Sequence, residues 1–166
     1  MGANLNFVRL QGFTDTTIAS CEYQYPALMW QPRVIAVLVC VGILVESGWW
    51  FIVLAAVLWW CVLLPKLNPF DAIYDYFHLK KIGHAPIGPA PAPRRFSQAV
   101  AATFMLGIGF AMIKKHDELA WTLQVLLVLF LALLIFGRLC TASYLYHLLT
   151  GKREYANKTL PWSTGK

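Results

Sequence analysis

The strongest constraint on this chain is the way its apolar residues are gathered: two long runs, 34–64 and 96–149, hold most of them, and each run is cut once by a short polar insert. The first insert is Glu46-Ser47-Gly48, suited to a turn, and the second is Lys114-Lys115-His116-Asp117-Glu118, which cannot sit unpaired in hydrocarbon. Uncut, 34–64 would make a helix of about 46 Å against a hydrocarbon core of about 30 Å. Each run is therefore expected to fold as a helical hairpin. The spacing predicts helices over 32–45, 49–64, 96–113 and 120–136, the last continuing as an amphipathic extension to Leu149, with Gly151 as its stop. Pro32 is read as a helix start, leaving the first helix short at about 21 Å, and Pro65 as the end of the second.

The fold class follows: an all-α membrane protein of four transmembrane helices in two hairpins, with a cytoplasmic interfacial helix between them. Composition agrees, since 58% of the 166 residues are hydrophobic and 13% charged, about half the charge of a soluble domain. The segments are an N-terminal extension 1–30, a first hairpin 31–65, an interfacial helix and Pro-rich loop 66–95, a second hairpin 96–149 and a tail 150–166. Both halves open on Pro and Arg, run apolar, turn, return and close on an aromatic segment, the pattern of two parallel repeats about an axis along the membrane normal.

Asn68-Pro69-Phe70-Asp71 has the form of a helix start, and Phe70, Ile73, Tyr74, Phe77 and Lys81 follow at helical spacing, with Asp71, Asp75 and His78 on other faces. The linker 85–93, with four prolines, favours extended polyproline geometry. Of fourteen Lys and Arg, all but Lys114 and Lys115 fall at the termini, in the central loop or at Arg138, which predicts that both termini and the loop are cytoplasmic. Trp49, Trp50 and Trp121 then mark the outer interface, and Trp30, Trp59 and Trp60 the inner one. The N-terminus, the 70–81 helix, the Pro-rich strap and the 152–166 tail are expected to form one basic, aromatic platform for anionic lipid at the inner leaflet, with Phe70, Tyr74, Phe77, Arg94 and Arg95 among the residues facing lipid or a partner. The basic residues form no stripe for nucleic acid.

No phosphate loop, nucleophile elbow, zinc-protease motif or dinucleotide fingerprint is present. The four cysteines have no CxxC spacing, and the four histidines lie outside the predicted spans or at their ends, so neither a metal, a haem nor another cofactor is expected. One constellation stands out: Cys140, Ser143, Tyr144 and His147 recur at i, i+3, i+4 and i+7, and share a face on a helix. A thiol there is reactive if His147 or Arg138 lowers its pKa; the alternative is an interfacial face on which Tyr144 and His147 meet headgroups and Cys140 packs as a small apolar residue. Cys61 is the one plausible disulfide partner for Cys140. Gly107 and Gly109, with Ala99, Ala101 and Ala102, offer a small-residue surface for close helix packing.

At Pro93-Arg94-Arg95-Phe96-Ser97-Gln98 and again from Phe136 to Tyr146, the chain resembles a family of small bacterial four-helix integral membrane proteins of unknown function. That family has a Pro-Arg-Phe-x-Gln opening to a hairpin and a Cys-x-x-Cys-x-x-Tyr in its last helix. Cys140 and Tyr146 match the first cysteine and the tyrosine, whereas Ser143 stands where the second cysteine is usual and removes the local dithiol. The resemblance covers about residues 30–150 and implies a bacterial inner-membrane location without an activity.

Three functional readings result. The first is a non-catalytic subunit or accessory scaffold of a bacterial membrane complex, its tails and Pro-rich loop meeting a cytoplasmic partner because they have little means of folding alone. A second is a membrane thiol protein relaying electrons or sulfur through Cys140 to a thioredoxin- or rhodanese-like partner. The third is a pigment- or quinone-contacting subunit, suggested by the aromatic bands.

Overall fold

A computed structural model describes residues 2–83 and 87–163; His84, Ala85 and Pro86 of the loop, and Thr164 to Lys166 of the tail, lie outside the described residues. The described residues form helices joined by turns and short loops: α1 (Gly2–Leu10), α2 (Ile18–Val45), α3 (Gly48–Leu63), α4 (Pro69–Tyr74), a turn wound in π fashion over Asp75–Leu79, α5 (Lys80–Ile82), α6 (Ala92–Ile113), α7 (Asp117–Ile135), α8 (Thr141–Leu149) and α9 (Arg153–Lys158). A short 3-10 turn, Pro65–Leu67, follows α3. Three stretches are long and apolar enough to cross a membrane: Ala19–Val45, Ala92–Ile113 and Asp117–Ile135. A fourth exists if α3 is counted with the segment after it, where the chain bends by 119°.

The first long helix begins fourteen residues before the expected start. Thr17 and Ser20 close a reciprocal cap: the Ser20 N–H donates to Thr17 Oγ1 (3.2 Å) and the Thr17 N–H to Ser20 Oγ (2.9 Å). From there α2 runs through both Pro26 and Pro32. Each proline forfeits one backbone bond, yet the helix holds because its flanks are packed, by α1 on one side and by α4 and α7 on others. This supplies the length that a helix starting at Pro32 lacks.

The described residues of both tails pack within the chain. α1 buries Phe7, Val8 and Leu10 in a second apolar cluster with Leu28, Met29 and Cys140, and the two ends of the chain meet. Asn6 Nδ2 donates to the carbonyls of Leu160 (3.0 Å) and Ser163 (3.1 Å), and the Tyr155 hydroxyl to that of Arg9 (2.9 Å).

Short turns join α2 to α3 and α6 to α7, but the packing crosses between these pairs. α3 packs most extensively on α6, which also touches α7 and α8, while α2 and α3 meet sparsely. Their contact centres on Trp50, whose indole N–H donates to the Leu38 carbonyl (2.9 Å) and whose ring lies over Gly42. Trp50 is thus a helix–helix anchor, not a headgroup anchor. Trp59 packs against the main core, whereas Trp49, Trp60 and Trp121 are exposed. The main core joins Ile35 and Val39 of α2, Phe51, Leu54 and Leu58 of α3, Met105 and Ile108 of α6, and Leu127 and Leu131 of α7.

Two boundaries in the second half also differ. α6 starts at Ala92, so Pro93 belongs to its first turn. The extension of α7 is broken: the helix ends at Ile135, Arg138 turns with φ of 54°, and the Leu139 N–H reaches back to the Leu133 carbonyl (3.2 Å) before α8 begins. Cys140 caps α8 and is not part of a continuous helix.

Candidate functional site

At the end of the bundle that carries both termini, Arg94, expected to face lipid, turns inward. Asn68 caps α4, its Oδ1 accepting from the Phe70 N–H (3.0 Å), which sets Asp71 one turn into the helix with its carboxylate facing the bundle. Arg94, in the first turn of α6, is 4% exposed and grips that carboxylate with both arms, Nη1 to Oδ2 (3.0 Å) and Nη2 to Oδ1 (2.7 Å). The fork is the strong geometry for such a pair. Asn68 Nδ2 donates to Asp71 Oδ2 (2.9 Å), and the Cys61 thiol from α3 reaches Asn68 Oδ1 (3.4 Å).

The network continues into α2. Gln31 Oε1 accepts from Arg94 Nη2 (3.0 Å) and from Gln98 Nε2 (2.9 Å), so four helices are tied at one point. Arg95 is spent nearby on the last carbonyls of α3, its Nε donating to Val62 (2.9 Å). Arg94 is thus turned away from lipid, whereas Arg95 is half-buried. Of the aromatic platform residues, Phe70 is buried, Tyr74 is half-buried between Trp30 and His78, and Phe77 is exposed.

One turn along α6, Ser97 meets the expected Cys140 constellation. Its Oγ lies 2.7 Å from Ser143 Oγ and 3.2 Å from Cys140 Sγ, and donates to the Pro93 carbonyl (3.0 Å). Cys140, Ser143 and His147 do share a face, but it is the inner one: all three are buried. Tyr144 is half-buried and donates to Asn157 Oδ1 (2.8 Å) on α9. The interfacial-face alternative therefore fails for His147, which caps the end of α1 by donating from Nε2 to the Leu10 carbonyl (3.1 Å). With Nε2 as the donor, its buried Nδ1 has no partner among the described residues. Burial holds this imidazole below its ordinary pKa; the Leu10 bond opposes that and the Lys152 ammonium adds to it. The groups expected to activate the thiol are engaged elsewhere, His147 on Leu10 and Arg138 over the Tyr25 ring at 5.8 Å. All four cysteines are free, and Cys61 and Cys140 have different polar neighbours.

Between these groups lies a cavity of about 80 Å³ bounded by Gln31, Arg94, Ser97, Gln98, Leu131 and Cys140, among others. Ser97, Ala101, Leu131, Leu134 and Cys140 also line an apolar groove of about 300 Å³ along α6, α7 and α8. Among the described residues no group of three His, Cys, Asp or Glu side chains is placed to hold a metal. Gly109 serves the crossing of α6 with α3, its Cα close against the Gly48 carbonyl, whereas Gly107 faces only Leu123.

Sequence reasoning singled out Arg94, Gln98 and Asn68 for other reasons and passed over Gln31 and Ser97. The available signal was Asp71: an acid at the start of a helix in an apolar chain calls for a cation. The family described as Domain of unknown function (DUF4395) matches residues 26–150, and the chain belongs to it. No curated protein and no solved structure matches the chain.

Proposed function

We propose that this member of the family is a non-catalytic, four-span component of the bacterial cytoplasmic membrane that scaffolds other membrane subunits. The observation that carries the reading is the use made of its buried polar groups. Arg94, Asp71, Gln31, Asn68, Ser143 and His147 each join one helix to another or to a terminus, an investment in a fixed shape. Around that shape stands a broad apolar exterior, with Val37, Trp49, Val53, Phe110, Trp121 and Val125 all more than half exposed, available to lipid and to neighbouring subunits. Extraction in mild detergent followed by native mass spectrometry is expected to recover the chain with a stoichiometric second polypeptide. Recovery as a lone monomer overturns the scaffold reading.

Its orientation places the end that carries both termini in the cytoplasm. Among the described residues that end holds eleven of the thirteen basic residues, and Lys66, Lys80, Lys81, Lys152 and Arg153 are exposed there to attract anionic lipid. Single cysteines at Ser47, Gly88, His116 and Lys152, in a chain stripped of native thiols, are expected to divide under an impermeant reagent in intact cells. Ser47→Cys and His116→Cys label; Gly88→Cys and Lys152→Cys label only after lysis. The reverse division inverts the orientation.

A further inference from the structure

We infer that the small cavity and the apolar groove beside it form one binding site for a single-chain lipid with a neutral, hydroxyl-bearing head. The inference deepens the component reading above by naming a small molecule that the bundle holds.

The head position is fixed by a chain of hydrogen bonds that ends in an unmet need. Asp71 fixes Arg94, Arg94 donates to Gln31 Oε1, and that oxygen also takes the Gln98 Nε2–H. The Gln98 amide is thereby held with its nitrogen toward Gln31, and its Oε1 is left buried with no partner among the described residues. Gln98 is 7% exposed and lines the cavity. A buried acceptor of this kind is costly until a donor arrives. The site selects a neutral donor because its own charges already cancel, Arg94 against Asp71; a carboxylate or phosphate would bring an unpaired charge into a buried space.

The tail position follows from the wall shared by the two spaces. From Ser97 the groove runs along Val100, Ala101 and Phe104 on α6 and along Leu134, Leu131 and Leu127 on α7. These positions recur at every third or fourth residue, so one strip from each helix makes the walls, a width suited to one chain. Phe104 lies six residues beyond Gln98, or about 9 Å further along the helix. Polarity thus declines from the end of the bundle toward its middle, the same order as in a lipid of that leaflet. The hydroxyl would sit among Gln98, Ser97 and Cys140, and the chain between α6 and α7.

The test uses the whole protein in phosphatidylcholine nanodiscs at pH 8, with hexadecanol carrying a diazirine in its chain and palmitate carrying the same group as a charged control. After irradiation, the alcohol is expected to mark peptides containing Phe104, Phe130 and Leu134 about tenfold more than palmitate, the selectivity that one buried hydrogen bond and one excluded charge supply. Ala101→Phe fills the shared wall without removing a hydrogen bond, and Gln98→Met removes the acceptor; each is expected to cut that labelling about fivefold or more. Equal marking by alcohol and palmitate, or marking spread over Val53 and Val125 on the outer faces, overturns the site, and this comparison in the unaltered chain decides even if a variant folds poorly. Absent labelling beside a retained partner subunit in the native mass spectrum rejects the lipid site alone.

Discussion

Asp71→Ala is expected to destabilise the bundle by about 3–5 kcal/mol, the cost of leaving a buried charge without its partner. Arg94 is 4% exposed, and its fork on the Asp71 carboxylate is the one salt bridge it makes among the described residues. Removing that carboxylate strands a guanidinium inside the bundle and also takes the acceptor from Asn68 Nδ2. The loss should show as a lower midpoint in denaturation from mild detergent, and as faster modification of Cys61, which is fully buried and bonded to Asn68. The companion experiment separates charge from packing. In Asp71→Leu with Arg94→Met both charges are gone and the volume is filled, so most of the stability should return. An Asp71→Ala chain within about 0.5 kcal/mol of the native one, the range of an ordinary surface substitution, would mean that water reaches the pair and that the network does not bind the helices together.

The same pair shows what could be read from the sequence and what could not. Helices were legible wherever a local pattern sufficed: the insert at Glu46 became a left-handed turn closing α2, Lys115 another closing α6, and Asn68 a working cap. Arg94 was legible as a charge but not as a buried one, because its partner lies 23 residues earlier and meets it only when α4 folds under α6. Pro32 misled for a different reason. Proline stops a helix that stands alone, whereas α2 is carried past Pro26 and Pro32 by packing that no local rule contains. The cap that does start α2, Thr17 with Ser20, was readable in principle but lacks the usual Glu or Gln at its third position. At the candidate site, of the residues grouped by the i, i+3, i+4, i+7 spacing, Cys140, Ser143 and His147 are buried and Tyr144 is half-buried. Periodicity gives which residues share a face, and only the neighbouring helices decide whether that face looks out or in. Here α1 and α6 cover it, and α1 was not foreseen as a helix at all.

Gly109→Ala is expected to cost about 1–3 kcal/mol, the range for overfilling a tight core, while Gly107→Ala, two residues away on the same helix, should be neutral or stabilising. A methyl at Gly109 would sit 2.8 Å from the Gly48 carbonyl oxygen and 2.7 Å from Ile52 Cγ1. The first of these is backbone, so relief requires α3 and α6 to separate along their most extensive contact. The clash is reciprocal, since a methyl at Gly48 would meet the Gly109 carbonyl at 2.8 Å. At Gly107 the nearest atom is Leu123 Cδ1 at 3.3 Å, the free end of a flexible side chain, and replacing glycine inside a helix gains up to about 1 kcal/mol in propensity. Both variants would be measured by thermal denaturation in the same detergent. Opposite signs would place the close approach of α3 and α6 at the Gly48–Gly109 crossing. Equal losses would mean instead that the whole small-residue face of α6 is packed against a neighbour, and that α7 approaches Gly107 as tightly as α3 approaches Gly109.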